Sequence, residues 1–158
     1  MTDIALYIII GAAVVLAIYG AYYFISKYLE KNSLKVQEIK SILENYGTLY
    51  EEGLFLNYTY NNEEYTVQII RIPQSAKFQF NSRIIWERRI GSRITYTDQT
   101  VFSKMPYKKM VIIYPHEGPF TYHYDESEIR YTNPKERIWD MHIIPMHQLE
   151  EVLKEGLK

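Results

Sequence analysis

The sequence predicts an α+β domain, a mixed sheet flanked by helices, behind a single N-terminal transmembrane helix. Three observations predict it. An uncharged apolar run from Ile4 to Ile25 is long enough to cross a bilayer. Behind it, stretches near residues 34–46 and 149–157 repeat their apolar residues with helical period. Between them lie short runs of β-branched and aromatic residues, punctuated by Asn, Gly and Pro. A chain of 158 residues holds one anchor and one domain of about 110 to 125 residues.

The anchor comes first. IALYIIIGAAVVLAIYGAYYFI carries no charge, and as a helix it covers roughly 33 Å against a hydrocarbon core of about 30 Å. A helix is the one way a lone segment satisfies its backbone amides in lipid. Tyr22, Tyr23 and Tyr28 crowd its far end with Lys27 and Lys31, the aromatic and snorkelling residues of a membrane interface. A cleaved signal peptide wants a basic start and a shorter apolar core, whereas Asp3 precedes this run and its lysines follow it. Lys27, Lys31, Lys35 and Lys40 outnumber Glu30 and Glu38, so the positive-inside rule places the following domain in the cytosol. The expected organisation is an external N-terminus over 1–3, the span over 4–25, a juxtamembrane segment over 26–33 and a cytosolic domain over 34–158. Ala13, Ala17 and Ala21 recur every fourth residue, a pattern that lets two such helices approach as a homodimer.

Within the domain, Val36, Ile39, Leu43 and Tyr46 share a helical face and Gly47 marks its end. The spacing predicts a helix over 34–46, its continuity with the anchor left open. LFLNYTY (54–60) and YTVQIIRI (65–72) read as a hairpin, AKFQF (76–80) as a third strand. Asn81 or Ser82 then caps a short helix through Ile90, closed by Gly91. ITYTDQTVF (94–102) is a strand or a long connection, and KMVIIYP (109–115) is the clearest buried strand. EIRYT (128–132) and RIWDMHII (137–144) are two more strands around Asn133-Pro134. After Pro145, Leu149, Val152, Leu153 and Leu157 form a closing amphipathic helix.

Composition excludes some chemistry. There is no cysteine, hence no disulfide, thiolate ligand or thiol nucleophile. The net charge of −1 marks neither a nucleic-acid nor an acidic-ligand binder by itself. Sixteen tyrosines, alongside many Ile, Asn and Lys, are what an AT-rich genome writes and are not read as function. No G-x-G-x-x-G, Walker or G-x-S-x-G pattern occurs. Of the four histidines, His142 and His147 bracket Pro145 and share no helical face. His116, Glu117, His123 and Asp125 cluster in an aromatic-rich loop that suits either a metal or simple solvation. No metal or other cofactor is expected.

Charge is distributed in blocks. Arg83, Arg88, Arg89, Arg93, Lys104, Lys108 and Lys109 face only Glu87 and Asp98, a local balance of +5, while the chain from His116 onward balances at −4. Internal pairing accounts for such blocks. A basic face on anionic lipid also does, and nucleic acid is a third choice.

The helix, three-strand, helix, strand order over about 36–115 resembles the core of restriction-endonuclease-like, PD-(D/E)XK proteins. The resemblance implies carboxylates on the helix and second strand and an acid-x-lysine pair on the third, gathered around magnesium. The positions that fall there are Glu44, Glu64 and Gln79-Phe80-Asn81, with Arg83 nearby. Gln and Asn replace the acid and the lysine, so a degenerate site is what the resemblance implies. Glu87-Arg88-Arg89 has acid-x-base spacing on the expected helix. The expected function is a membrane-tethered interaction or scaffold domain with an unidentified protein partner and no catalysis. The alternative is a nuclease-like or nucleic-acid-binding domain.

Overall fold

The computed structural model describes the backbone of residues 2–31 and 33–157. The side chains of residues 2–6, 8, 27, 28, 30, 31 and 52 lie outside the description, and with them the interface roles expected of Lys27, Tyr28 and Lys31. The chain divides into two compact units, one ending at Gln37 and the other starting at Glu38.

The first unit is dominated by α1 (Thr2–Lys31), in which Ile9–Ser26 is long and apolar enough to cross a membrane, none of it buried. Tyr22, Tyr23 and the three alanines Ala13, Ala17 and Ala21 are all exposed along it. Ser33 breaks this helix from α2 (Leu34–Tyr46), its hydroxyl accepting from the Val36 amide at 3.3 Å.

The second unit is mixed α+β, as expected, but with two mixed five-stranded sheets rather than one. The first sheet has the order β1 (Thr48–Glu52), β2 (Phe55–Tyr60), β3 (Glu63–Ile72), β7 (Lys108–Pro115), β10 (Met141–Pro145). Its first three strands form an antiparallel meander, and β3, β7 and β10 run parallel. The second sheet has the order β6 (Arg93–Asp98), β5 (Ile85–Ile90), β4 (Lys77–Phe80), β8 (Thr121–His123), β9 (Ile129–Tyr131). All five of its strands lie in the two connections between the parallel strands of the first. A short α3 (Thr100–Ser103) follows β6, and a 3-10 turn (Met146–Gln148) leads into α4 (Leu149–Glu155).

Alternation explains the layering. Ile72, Val111, Ile113, Met141 and Ile143 on one face of the first sheet meet Phe78, Phe80, Trp86, Phe102 and Phe120. The aromatic rings pack edge to face, Trp86 against Phe80 at 5.1 Å and Phe102 at 6.1 Å between centroids. Tyr58, Tyr60, Tyr65, Met110, Ile112 and Ile144 are buried on the opposite face of the first sheet. There the Tyr60 hydroxyl donates to the Leu153 carbonyl of α4 at 2.5 Å. Gly47 ends α2, as expected, but for close approach: a Cβ there would stand 2.2 Å from the Thr59 carbonyl oxygen.

Several elements differ from expectation. Residues 48–52 form a strand that local pattern does not announce, because it is the edge of the meander and keeps two glutamates. Residues 76–80 are a strand, yet they open the second sheet instead of completing the first. The helix expected over 81–90 is a turn followed by β5. Ser82 accepts from the Ile84 and Ile85 amides at 3.3 and 3.0 Å and so closes a turn, and Gly91, at φ +59°, turns the β5–β6 hairpin. β8 arises within the expected loop. Strand 137–144 shortens to Met141–Pro145, because Ile138 and Met141 exchange two backbone hydrogen bonds around a tight turn. The closing helix stops at Glu155, before Leu157.

The β2–β3 hairpin turns on Asn61-Asn62, with φ of +50° and +65°. Both values suit a primed two-residue turn, where Gly and Asn are tolerated and β-branched residues are not. Asn62→Val is expected to destabilise the domain by about 1–2 kcal/mol and Asn62→Gly to leave it equal or slightly more stable, measured by urea denaturation followed by tryptophan fluorescence.

Candidate functional site

Of the four positions singled out by the nuclease resemblance, Glu44 is exposed on α2 and Glu64 is exposed near the start of β3, opposite Thr59. Gln79 lies on β4 of the other sheet, and Arg83 in the turn after it. Among the described residues no hydrogen bond or ion pair joins any two of these four. What the structure does bring together is Gln79 with Glu87, two strands that register face to face.

Register places one row of side chains across the whole outer face of the second sheet: Tyr96, Glu87, Gln79, Thr121 and Tyr131. Its middle is hydrogen-bonded. The Gln79 amide nitrogen donates to Asn81 Oδ1 at 3.0 Å and to His123 Nε2 at 2.6 Å, which puts the imidazole proton on Nδ1. Asn81 donates to Glu87 at 3.1 Å, and Arg89 pairs with Glu87 at 3.1 Å. The Asn81 amide, Arg89 and the Tyr96 hydroxyl hold the Glu87 carboxyl below its usual range. Glu87-x-Arg89, the acid-x-base pair, therefore lies on a strand and its two side chains share a face. At the ends of the row Tyr96 and Tyr131 stand 60% and 72% exposed, with Ile94 and Ile129 beside them. Satisfied polar groups flanked by exposed rings suit recognition of another molecule through surface contact.

A second exposed group sits on the inner side of the β8–β9 hairpin, past the edge of the core. Tyr122 faces Arg130 across the strands. The Arg130 guanidinium lies 3.4 Å over the Tyr124 ring and bonds Glu128 at 2.6 Å. Trp139 meets Tyr122 edge to face at 6.1 Å. Sequence reading missed both groups; for Tyr96 and Tyr131 of the outer row, the alternation I-T-Y-T at 94–97 and I-R-Y at 129–131 was the available signal.

The basic block is spread over several environments. Lys109 is buried, its side chain 4% exposed, and donates to the Met105 and Tyr107 carbonyls at 2.8 and 2.6 Å and to Asp140 at 3.1 Å. Arg83 pairs with the same Asp140 oxygen at 2.8 Å, Lys108 pairs with Glu63, and Arg89 with Glu87. Arg88 and Arg93 flank the β5–β6 turn, and Lys104 caps the end of α3. His116 is buried, with Nε2 against the Ala76 carbonyl at 2.7 Å and Nδ1 accepting from the Gly118 amide at 2.9 Å, so both ring nitrogens are engaged inside the protein. Among the described residues no group of three His, Asp or Glu is placed to hold a metal ion.

No protein-family model matches the chain, and no curated protein or solved structure matches it significantly.

Two tests follow from these charges. Asp140→Ala strands the buried Lys109 ammonium and is expected to cost about 2–4 kcal/mol in urea denaturation, whereas Arg83→Ala, removing the half-exposed partner, costs under about 1 kcal/mol. His142 is buried beside Tyr65, its ring 6.2 Å away, with Arg137, Lys108 and Glu63 around it. Burial pushes its pKa from 6.5 down to about 4; the Pro134 carbonyl opposes the shift, and the Arg137 and Lys108 charges add to it. The unfolded chain then binds more protons than the folded one between these values, so stability falls as pH drops from 6.5 toward 4, by up to about 3 kcal/mol. Carboxylates such as Glu63 and Glu87 add loss of the same sign at lower pH. His142→Leu is expected to flatten the upper part of that profile in a pH series of melting curves.

Proposed function

We propose that the chain is a single-pass membrane protein whose α+β domain is an interaction module held at the cytosolic leaflet. The observation that carries this reading is one chain combining a candidate membrane span with a domain that leaves a sheet face exposed, bearing Tyr96, Tyr131, Ile94 and Ile129. The span supplies location and the exposed sheet supplies contact with an unidentified protein. Lys27, Lys31, Lys35 and Lys40 support the cytosolic orientation. Homodimerisation through Ala13, Ala17 and Ala21 and contact of Arg88, Arg93 and Lys104 with anionic lipid fit the same arrangement.

A second reading, a restriction-endonuclease-like domain with nucleic acid as its partner, is favoured by one observation. The succession α2, antiparallel β1–β2–β3 and then β7 parallel to β3 keeps part of the order the resemblance asks for, although β4, β5, β6 and the short α3 stand where it asks for one helix. In that alignment the second strand, Phe55–Tyr60, has no acid, and the third has Glu63 and Glu64 but no lysine two residues on. The magnesium chemistry would then be lost, and binding would be what remains. Binding of duplex DNA that weakens steeply between low and moderate salt would favour it.

Because the chain has no cysteine, single cysteines report topology cleanly. Thr2→Cys is expected to react with an impermeant maleimide in intact cells, and Ser75→Cys only after permeabilisation. The protein should stay with the membrane pellet in alkaline carbonate. Labelling of Ser75→Cys in intact cells, or release into the carbonate supernatant, overturns the placement.

A further inference from the structure

We infer that the free edge of β9, together with Tyr124, Arg130 and Trp139 beside it, is a docking surface for an extended cationic peptide segment of a partner protein. The inference rests on the interaction-module reading and names the face and the chemistry of its partner.

The first observation is the edge itself. β9 is the outermost strand of the second sheet, paired on one side only with β8. The Glu128 carbonyl accepts from Tyr124, and the Thr132 amide donates to Phe120, both towards β8. Alternation then turns the amides and carbonyls of Ile129 and Tyr131 outward. Such an edge, although only three residues long, is a template for an added strand. No proline interrupts Ile129–Tyr131, and all three residues are exposed.

The second observation is the ring beside it. Trp139 adopts φ +59°, a conformation that bulky side chains rarely take and that Gly or Asn would take at lower cost. The turn is held from the other side, because the next residue, Asp140, is bound to Lys109 and Arg83. The indole is thereby held 43% exposed and braced by Tyr122. A rigid, amphipathic ring loses little entropy on contact, as binding anchors do.

Charge selects the occupant. Asp125, Glu126 and Glu128 are exposed in the turn between β8 and β9, and the base that follows them, Arg130, is paired with Glu128. The surplus is acidic. It repels an anionic leaflet or a phosphate backbone and attracts lysine or arginine side chains, which also suit the face of Trp139.

The test uses the full chain in neutral phosphatidylcholine nanodiscs, titrated with fluorescent (Lys-Val)4 and (Glu-Val)4 peptides. Saturable binding of the lysine peptide, at least tenfold tighter than the glutamate one and weakened by salt, is expected. Tyr131→Pro removes an outward amide yet suits an edge strand, and Trp139→Gly removes the ring yet suits the positive φ. Each should weaken binding about tenfold, whereas Tyr131→Thr, which keeps the amide, stays within threefold. Equal affinity for the two peptides, or unchanged binding by Tyr131→Pro, overturns the inference. A membrane partner that photocrosslinks at Tyr96, on the opposite edge strand, while neither peptide binds overturns it too and leaves the interaction-module reading standing.

Discussion

Strands β3, β7 and β10 run parallel, and parallel neighbours cannot be joined by a tight turn. Each needs a crossover long enough to return the chain to the starting end of the sheet. Such crossovers are usually helices. Here the first carries β4, β5, β6 and α3, and the second carries β8 and β9. Both connections fall over the same face of the first sheet, and β4 pairs with β8 in parallel to join them. The second sheet therefore exists because the first is parallel in its middle. Its inner face is apolar because it must cover Val111, Ile113, Met141 and Ile143, and its outer face is left to solvent. The surface available for recognition is a consequence of how the parallel strands are connected.

The same constraint explains which elements were legible in the sequence. α1, β7, the β2–β3 hairpin and α4 declare themselves in contiguous residues: an uncharged run, an apolar run ended by Pro115, two β-rich runs around Asn61-Asn62-Glu63-Glu64, a helical period. β5 was misread because Ser82 and Gly91 are punctuation shared by helices and hairpins, and Ile85, Trp86 and Ile90 satisfy either period. β1 and β8 were missed because their stability comes from neighbours distant in sequence. Thr48–Glu52 is a strand only beside β2, and Thr121–His123 only between β4 and β9. Nothing local distinguishes them from loop.

The site was less legible than the fold for a related reason. Tyr96, Glu87, Gln79, Thr121 and Tyr131 form one row, yet they come from five strands between residues 79 and 131, and a shift of one residue in any register would dissolve it. Gln79 and the Glu87-x-Arg89 pair were picked out for a different arrangement, on the assumption that β4 belonged to the first sheet. With β4 in the second, Gln79 meets His123 and Asn81, and Glu64 stays on the first sheet opposite Thr59.

Electrostatics completes the argument. A block of positive charge in sequence invites a reading as a basic face, but charge density along a chain is not charge density on a surface. Asp140 accepts both Lys109 and Arg83, drawing together β7 and the turn that leads from β4 to β5. Lys108 and Arg89 are spent on Glu63 and Glu87. Much of the block thus serves cohesion between the two sheets or within one. The acidic surplus between residues 116 and 136 is disposed differently. Asp125, Glu126 and Glu128 are exposed in the turn that leads into β9, so their field reaches outward and contributes little to holding the two sheets together. Of the two blocks, the basic one keeps Arg93 and Lys104 exposed after these pairings, and the acidic one keeps Asp125, Glu126 and Glu128 exposed.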